Sequence, residues 1–187
     1  MRHVIRCVVA VAVVSLVAGL AWAQSPEDRQ DRPGFEYGGA PKYDRPSIPK
    51  NDAEKQALAA LDKMAEGPWY LNVTRREGRV MRQLAEAVGA KRIVEIGTSS
   101  GYSTIWLAMA ARATGGKVFT HEIDPEKVKI ATANFKKAGV DDLITIIEGD
   151  AHETIKQHKE PIDVLFFDAE KKGYVDYLEQ LLPLVRP

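Results

Sequence analysis

Four acidic residues in the second half of the chain stand at or beside the end of a run of apolar residues: Glu95, Glu122, Asp150 and Asp168. A carboxylate can accept hydrogen bonds from hydroxyl or ammonium groups, and it can also bind a divalent metal ion. Each apolar run predicts a buried strand, and the ligand crevice of a parallel sheet lies beyond the carboxyl ends of its strands. We therefore expect the four carboxylates to converge on one rim.

The first of these residues opens a segment with the pattern of a strand end, a turn and a helix start. It reads Glu-Ile-Gly-Thr-Ser-Ser-Gly-Tyr-Ser from Glu95 to Ser103. Gly97 and Gly101 leave the turn without side chains where a ligand could approach the backbone, and a helix is predicted from Tyr102. The hydroxyl residues that could cap this helix are Thr98, Ser99, Ser100 and Ser103.

The spacing of the two glycines favours one kind of cofactor. A dinucleotide site needs G-x-G-x-x-G, whereas this turn reads E-x-G-x-x-x-G, which also argues against a nicotinamide-dependent oxidoreductase. Glu95 offers an acceptor for a cationic ammonium group, and Gly97 lets a nucleoside lie against the loop. S-adenosylmethionine (SAM) carries both groups. The alternative interpretation is an ordinary tight turn between a strand and a helix.

The second acidic residue follows a strand predicted from Lys117 to His121. Asp124 is a good N-cap and Pro125 a good first residue for the helix that comes next. A carboxylate at the end of the strand after a glycine turn can accept hydrogen bonds from both ribose hydroxyls. We therefore predict that Glu122 binds ribose, with a solvated surface charge as the alternative.

Alternating strands and helices predict the fold class. Further strands are predicted over residues 143–147 and 162–167, which indicates an α/β protein with a Rossmann-like, doubly wound, mostly parallel sheet. Upstream, a helix is predicted from about residue 52 to Met64. A second helix over 75–88 is expected to pack on the sheet through one apolar face: Val80, Met81, Leu84 and Val88.

These motifs resemble those of the class I SAM-dependent O-methyltransferases of the catechol and caffeoyl-CoA type, over about residues 55–187. The segment 95–103 is similar to their first SAM motif, and 121–124 to their ribose motif. Residues 149–151 are similar to the loop beside adenine, and 168–171 to the metal and base motif. Residues 69–73 are similar to a catechol-enzyme segment in which a tryptophan borders the substrate and an asparagine–hydrophobic pair holds the methionine end of SAM.

The resemblance implies methyl transfer from SAM to a hydroxyl of a small catechol-like or phenolic substrate, assisted by a divalent metal ion, Mg²⁺. Asp168 would ligate the metal, Lys171 would be the general base, and Lys171 and Trp69 would contact the substrate. Such an ion keeps positions for two adjacent substrate hydroxyls, whose pKa it lowers. The residues expected at the cofactor are Asn72, Val73, Glu95, Gly97, Ser99, Gly101, Tyr102, Ser103, Glu122, Ile123, Asp150, Ala151 and Asp168. Related caffeoyl-CoA enzymes also suggest a homodimer.

The chain departs from this family pattern at its last residues. It stops at Pro187, where a Gly-Gly turn, a further strand and an Asp-Asn pair of the metal site would follow. We therefore expect a fold that lacks its last strands, an incomplete metal site and an exposed edge at the fourth strand. The interpretation is a fragment or truncated product of this family. The alternative is a non-catalytic SAM-binding or interaction protein.

The first residues predict export. A basic start, an apolar run over 7–20 and an Ala-Trp-Ala cleavage site over 21–23 make residues 1–23 a predicted secretory signal peptide. An uncleaved anchor is the alternative, and only then would the protein contact a membrane. Residues 24–50 contain five prolines and are predicted to be a flexible linker, which leaves 51–187 as the SAM-dependent methyltransferase domain.

Composition narrows the partners. The 187 residues include 26 Lys and Arg against 26 Asp and Glu, with no basic stripe, which argues against a nucleic-acid partner and leaves a small-molecule substrate. His121, His152 and His158 lack the spacing of a zinc site. The single cysteine, Cys7, lies in the predicted signal peptide, so thiol catalysis is not expected in the exported chain.

Overall fold

The structure is a computed structural model that describes residues 46–68 and 70–186. The predicted signal peptide, most of the predicted linker and the predicted substrate contact Trp69 lie outside these residues. Among the described residues, no helix is both long and apolar enough to cross a membrane. Export and the domain boundaries stay predictions.

Helices and strands alternate along the described chain, as the sequence predicts. The helices are α1 (Asp52–Ala65), α2 (Arg75–Ala87), α3 (Tyr102–Thr114), α4 (Pro125–Ala138), α5 (Ala151–Thr154) and α6 (Tyr174–Leu181). The strands are β1 (Arg92–Ile96), β2 (Lys117–Glu122), β3 (Ile144–Glu148) and β4 (Val164–Phe167). Short 3₁₀ helices cover Asp141–Leu143, Ile155–Gln157, Lys171–Gly173 and Leu182–Leu184.

The four strands form one parallel sheet in the order β3-β2-β1-β4. The end of β1 is in register with both neighbours, because Ile96 pairs with His121 of β2 and with Phe167 of β4. Glu122 of β2 pairs with Glu148 of β3. The predicted Rossmann-like α/β fold is confirmed, and the loops that follow all four strands meet at one edge.

The outer side of β4 carries a single short contact within the described residues. Ile162, just before β4, forms an isolated parallel bridge with Val185. The amide of Ile162 donates to the carbonyl oxygen of Leu184 over 2.8 Å, and the amide of Arg186 donates to Ile162 over 2.9 Å. The strand therefore has a partner at its beginning, whereas Val164–Phe167 forms the edge of the described sheet.

Side-chain caps explain where three helices begin. Asn51 accepts the amide of Glu54 at the start of α1 over 2.9 Å. At the start of α2, Thr74 and Glu77 form a capping box, in which each side chain accepts the other's backbone amide. The predicted cap Asp124, followed by proline, is confirmed for α4.

Helix α3 begins differently from the prediction. Its N-cap is Gly101, in the left-handed region with φ 85°, and no side chain caps it. The expectation that Thr98, Ser99, Ser100 or Ser103 would cap α3 was wrong. Three of these hydroxyls make other contacts, because those of Thr98, Ser100 and Ser103 bond Thr120, Asn72 and Glu95 respectively.

The buried residues form two apolar clusters, as expected for a sheet covered on both faces. One includes Ile93 of β1 and residues of α1–α4, and the other includes Val94 and Ile96 of β1 with residues near α5 and α6. Neighbouring residues of a strand point to opposite faces. Glu95 is therefore on the α3 face, between the two β1 residues that point toward α5 and α6.

Helix α2 packs on α3, so the expectation that it packs on the sheet was wrong. Its buried residues are Gly78, Met81, Arg82 and Ala85. Val80 and Val88, expected on the packed face, are 44% and 45% exposed. The physical reason is that α3 already lies against β1 and β2, and Gly78 lets the Trp106 ring of α3 approach the α2 backbone.

Candidate cofactor crevice

Backbone hydrogen bonds tie the loops at the carboxyl edge of the sheet to one another. The carbonyl oxygen of His121 accepts the amides of Gly97 and Thr98 over 3.0 and 3.1 Å. The amide of Gly149 donates to Glu122, and the amide of Asp168 donates to Ile96, each over 2.8 Å. The predicted convergence of the strand ends is therefore present in the backbone. We call the region bordered by residues 97–101, 122–124, 149–151 and 168–171 the candidate cofactor crevice.

The two glycines of the loop after β1 are required by neighbouring parts of the protein. Gly97 has φ 101°, and a Cβ there would lie 2.5 Å from the carbonyl oxygen of Asp168. Gly101 has φ 85°, and a Cβ there would overlap the ring of Phe135. The sequence analysis explained both glycines by the approach of a ligand. The structure adds a second explanation, because a side chain at either position would collide with neighbouring residues.

Glu122 is held in place by two backbone amides. Its Oε2 accepts the amide of Ser99 over 2.7 Å, and its Oε1 accepts the amide of Asp124 over 3.0 Å. The residue is 6% exposed, and the next residue, Ile123, is 66% exposed. Each carboxylate oxygen has two lone pairs, so each keeps capacity for one further donor. Glu122 thus offers two oriented acceptors beside an exposed apolar side chain.

Glu95 lies inside the protein rather than in the open crevice. It is fully buried, and its carboxylate accepts the hydroxyls of Ser103 over 2.5 Å, Thr120 over 2.6 Å and Thr104. Burial raises the pKa of Glu95 to about 7, against the opposing effect of these hydroxyls. The structure therefore separates Glu95 from solvent, because its side chain points to the α3 face. The predicted contact with an ammonium group is not supported by this geometry.

Asn72, predicted with Val73 to hold the methionine end of SAM, is bonded to the loop after β1. Oδ1 of Asn72 accepts the hydroxyl of Ser100 over 2.8 Å, and Val73 packs against the core. Two residues other than glycine have positive φ among the described residues, Leu71 at 58° and Ser99 at 49°. Both flank this hydrogen bond in sequence, and backbone strain of this kind is common at ligand sites.

Tyr102 and Ser103, also predicted at the cofactor, are mostly enclosed by protein. Tyr102 is 4% exposed and belongs to the apolar core, and its burial raises the pKa of its phenol. Ser103 is 6% exposed and donates to Glu95. Both residues therefore support the loop from below, and their remaining exposure is small.

Asp150 and Ala151 follow β3 at the same edge. Asp150 is exposed and caps α5, because its Oδ1 accepts the amide of His152 over 2.9 Å. Gly149 has φ 129°, a left-handed conformation that favours glycine. This turn brings Ala151, which is partly buried, to the start of α5 next to the crevice.

Asp168 and Lys171 follow β4, and both are exposed. The protein around Asp168 nevertheless desolvates its carboxylate and raises its pKa; the Glu77 carboxylate adds to this shift, and Lys171 opposes it. Among the described residues, no three His, Cys, Asp or Glu side chains form a group that could hold a metal ion. Asp168 therefore offers a single carboxylate as a metal ligand, which fits an ion that takes its other ligands from water and substrate.

The histidines make hydrogen bonds that sequence spacing did not predict. His152 Nδ1 lies 2.6 Å from Asp176, and its Nε2 lies 3.4 Å from Glu170. His121 and His158, 37 positions apart, share a hydrogen bond. Residue spacing in the sequence gives no signal for these contacts, because the partners come from distant elements.

A groove lined by residues of α1 and α4 reaches the loop after β1. Its walls include Gln56, Ala60, Met64, Tyr70, Ser100 and Asn134. The side-chain amide of Asn134 donates to the Ser100 carbonyl oxygen over 2.9 Å, which joins α4 to the loop. Asp168 and Lys171 do not line this groove, so it is distinct from the predicted site of chemistry.

Relatives and solved structures match this fold and these motifs. The family model described as O-methyltransferase matches residues 51–187. A catechol O-methyltransferase of Niastella koreensis is 37% identical over 135 residues, which cover 70% of this chain and 61% of that protein. A caffeoyl-CoA O-methyltransferase of Medicago sativa is 34% identical over 141 residues, which cover 71% and 57%.

A solved structure agrees with the sequence matches. An O-methyltransferase from Bacillus cereus in complex with SAH matches with a TM-score of 0.60 and 36% identity, and the match covers 75% of this chain and 64% of that chain. The chain spans less than two thirds of the length of each of these three proteins.

The parallel sheet, the glycine loop after β1 and the acidic residue at the end of β2 define a Rossmann-like α/β protein. Within that class, the chain belongs to the O-methyltransferase family. The resemblance drawn from the motifs is confirmed at this level.

Proposed function

We propose that this chain binds SAM in the cofactor crevice and transfers its methyl group to a hydroxyl of a small catechol-like or phenolic substrate. The observation that carries the proposal is Glu122, which two backbone amides orient at the end of β2. Its two free accepting positions suit the two neighbouring hydroxyls of a ribose. The family membership and the names of the catechol and caffeoyl-CoA relatives support the reaction and the substrate class.

The other crevice residues divide into contacts and supports. The exposed side chain of Ile123 and the turn at Asp150 and Ala151 would border the adenine. Asn72 and Val73 would border the methionine end of SAM, beside the loop that Asn72 contacts. The supports are Glu95, Tyr102 and Ser103, whose burial places them beneath the loop. This assignment replaces the direct ammonium contact expected of Glu95.

Methyl transfer requires a hydroxyl oxygen in line with the sulfonium group and a base that removes its proton. Lys171 is exposed three positions after Asp168, so its Nζ can reach a substrate at the same loop. Asp168 would hold a divalent ion, whose Lewis acidity lowers the pKa of substrate hydroxyls when it is bound. Desolvation by nearby protein raises the pKa of Asp168 although the residue is exposed, and a bound cation would offset this cost of ionisation.

Calorimetric titration of SAM tests the cofactor site. Glu122→Gln keeps the shape of the side chain but removes its charge and one acceptor, and we expect SAM affinity to fall about tenfold or more, since a charge-assisted hydrogen bond contributes roughly 1.5–3 kcal/mol. The matched control is Glu148→Gln, on the paired position of β3, which is exposed. Equal binding by parent and both variants would contradict the site.

Turnover of catechol with and without Mg²⁺ tests the chemistry. We expect methylation that EDTA abolishes, with Asp168→Asn losing the turnover that Mg²⁺ supports and Lys171→Met losing turnover while SAM binding is kept. Saturable SAM binding without turnover on any phenolic substrate would favour the alternative, a SAM-binding protein that does not catalyse the reaction.

A further inference from the structure

His121 and His158 form a buried pair that the proposed reaction does not use. They are 1% and 3% exposed, and their Nε2 atoms lie 2.8 Å apart. His121 is the last residue before Glu122, and His158 follows the 3₁₀ helix after α5. Burial lowers the pKa of His121 to about 3 and that of His158 to about 4. Both rings are therefore neutral at pH 7, and each carries one proton.

Arg92 determines which nitrogen carries the proton in each ring. Its NH2 group lies 3.2 Å from Nδ1 of His158, and a guanidinium can only donate. Nδ1 of His158 must therefore accept, so its proton is on Nε2 and points to Nε2 of His121. That nitrogen of His121 must accept in turn, which leaves its proton on Nδ1, 2.7 Å from the hydroxyl oxygen of Thr154.

Two further contacts orient Arg92, the first member of this hydrogen-bond chain. The guanidinium of Arg92 also donates to Glu160 over 2.7 Å and lies 4.0 Å from the centre of the Phe119 ring. Glu160 is exposed and Phe119 belongs to the neighbouring strand. These two contacts orient the guanidinium of Arg92, at the start of β1, beside His158.

The last members of this hydrogen-bond chain, His121 and Thr154, contact two loops of the cofactor crevice. The carbonyl oxygen of His121 accepts the amides of Gly97 and Thr98. Thr154 closes α5, and its Cγ2 lies 3.1 Å from the position that a Cβ of Gly149 would occupy. The imidazole of His121 is thus bonded to the residue that packs under one loop, while its backbone holds the other.

We propose that Arg92, His158 and His121 form a one-directional hydrogen-bond chain that positions the loop after β1 and the turn after β3 for the cofactor. These are positioning residues, because none of them is placed in contact with the cofactor. Their role rests on the proposed function, since it concerns the distance between the two loops that SAM would bridge. The direction of these hydrogen bonds rests on the contacts of Arg92, His158 and His121 and on the neutral state of both rings.

The tautomers can be read directly without a ligand. Imidazole ¹⁵N chemical shifts of the full chain at pH 7 are expected to show His158 protonated at Nε2 and His121 protonated at Nδ1. Assignment uses the single variants of each histidine. The opposite tautomer in either ring, or a charged ring, would overturn the proposed hydrogen-bond chain from Arg92 to His121. Because SAM is absent, this result is independent of whether the proposed function is right.

Substitutions at His158 test the positioning role. Glutamine can accept from Arg92 with its oxygen and donate to His121 with its amide, so His158→Gln should bind SAM within about threefold of the parent. Leucine can do neither, and His158→Leu should bind about tenfold more weakly. Equal affinity of the leucine variant and the parent overturns the positioning role. If the leucine variant does not fold, an affinity loss of tenfold in His158→Gln overturns it instead.

A stability control separates positioning from general loosening. Leu181→Ala removes a buried side chain from the apolar cluster that includes Ile155, and it lies outside the loop after β1 and the turn after β3. We expect it to lower the melting temperature at least as much as His158→Leu but to leave SAM affinity unchanged. If both variants lose affinity in proportion to stability, the positioning role is overturned. If the parent binds no SAM, the proposed function and the role fail together, while the tautomer measurement still decides whether the chain exists.

Discussion

The hydroxyl of Ser100 donates to Oδ1 of Asn72 over 2.8 Å, and this bond joins the segment before α2 to the loop after β1. The two residues are 28 positions apart. Each has a neighbour in the left-handed region, Leu71 and Ser99. The hydrogen bond therefore connects two strained pieces of backbone at the border of the proposed methionine site.

Relief of that strain should stabilise the protein. Leu71 is 72% exposed at φ 58°, so Leu71→Gly loses little burial and removes a left-handed conformation that costs about 1–2 kcal/mol for an L-residue. The extra backbone entropy of glycine in the unfolded chain offsets roughly half of this gain. We expect the free energy of unfolding in urea to rise by about 0.5–1 kcal/mol.

Ile48→Gly is the control for this change, because Ile48 is 90% exposed and does not have positive φ. It should leave stability equal or slightly lower. A Leu71→Gly protein less stable than Ile48→Gly would show that the Leu71 side chain has a stabilising contact.

A comparison of two of the left-handed glycines, Gly89 and Gly101, separates backbone strain from crowding of the side chain. Gly89 has φ 65° and open space around a Cβ, whereas a Cβ at Gly101 would overlap Phe135. Gly89→Ala should cost about 1 kcal/mol in unfolding free energy, from backbone strain alone. Gly101→Ala should cost about 2–4 kcal/mol, since overpacking adds roughly 1–3 kcal/mol.

Combining Gly101→Ala with Phe135→Leu checks the cause. The smaller side chain should make the glycine substitution less costly than it is in the parent background. Equal costs of the glycine substitution in both backgrounds would rule out Phe135 as the source of the crowding.

Glu95 should make stability depend on pH between about 4.5 and 7. Its folded-state pKa is raised from 4.5 to about 7, so in this range the folded protein holds a proton that the unfolded chain has released. The contribution of Glu95 to stability is therefore expected to fall as pH rises through this window, with a slope of up to about 1.4 kcal/mol per pH unit, and the difference between parent and a non-titrating variant isolates it. Thermal unfolding from pH 4.5 to 8 in parent and Glu95→Gln measures it.

The glutamine variant should lack that slope, because an amide does not titrate. At pH 8 it should be at least as stable as the parent, since the three hydroxyls around it can turn to bond an amide. An unchanged slope in Glu95→Gln would assign the titration to another group.

The buried pair of His121 and His158 should make stability rise with pH below 6.5, opposite to the effect of Glu95. Their folded-state pKa values are lowered to about 3 and about 4 from 6.5, so below pH 6.5 the unfolded chain takes up protons that the folded protein does not. Stability from these groups is fully present above pH 6.5 and is lost as pH falls toward 4 and 3.

His158→Gln removes one of these two titrations and should make the acid side of the stability profile less steep. The measurement is urea unfolding at pH values between 4 and 7. If the acid slope does not change, His158 is protonated in the folded state or exposed, and its buried position is wrong.

Much of the fold could be predicted because its signals are local. The β-branched run before Gly97 marks β1, and Asp124 with the following proline marks the start of α4. A strand or a cap depends on a few consecutive residues, so one sequence is enough to recognise it. The parallel sheet followed from the alternation of these elements, whereas the order of its strands came from the structure.

The side-chain contacts of the site could not be predicted in the same way. The role of Glu95 depended on which helix covers its face of the sheet, and the hydroxyls of Thr104 and Thr120 that bond it come from two other elements. The covered face of α2 was predicted wrongly for a related reason, because its partner is α3. Pairing between distant residues, such as His121 with His158, has no signal in spacing.

The register that pairs Glu122 with Glu148 has an effect beyond hydrogen bonding. Asp150 and Asp168 lie at the same edge, so a chain with a formal net charge of zero carries a local excess of carboxylates there, which Lys171 offsets only in part. Such an edge attracts cations over a distance of about one Debye length, roughly 8–10 Å at physiological salt. A positively charged ligand would therefore be steered to this edge before contact, and its association rate would fall as ionic strength rises.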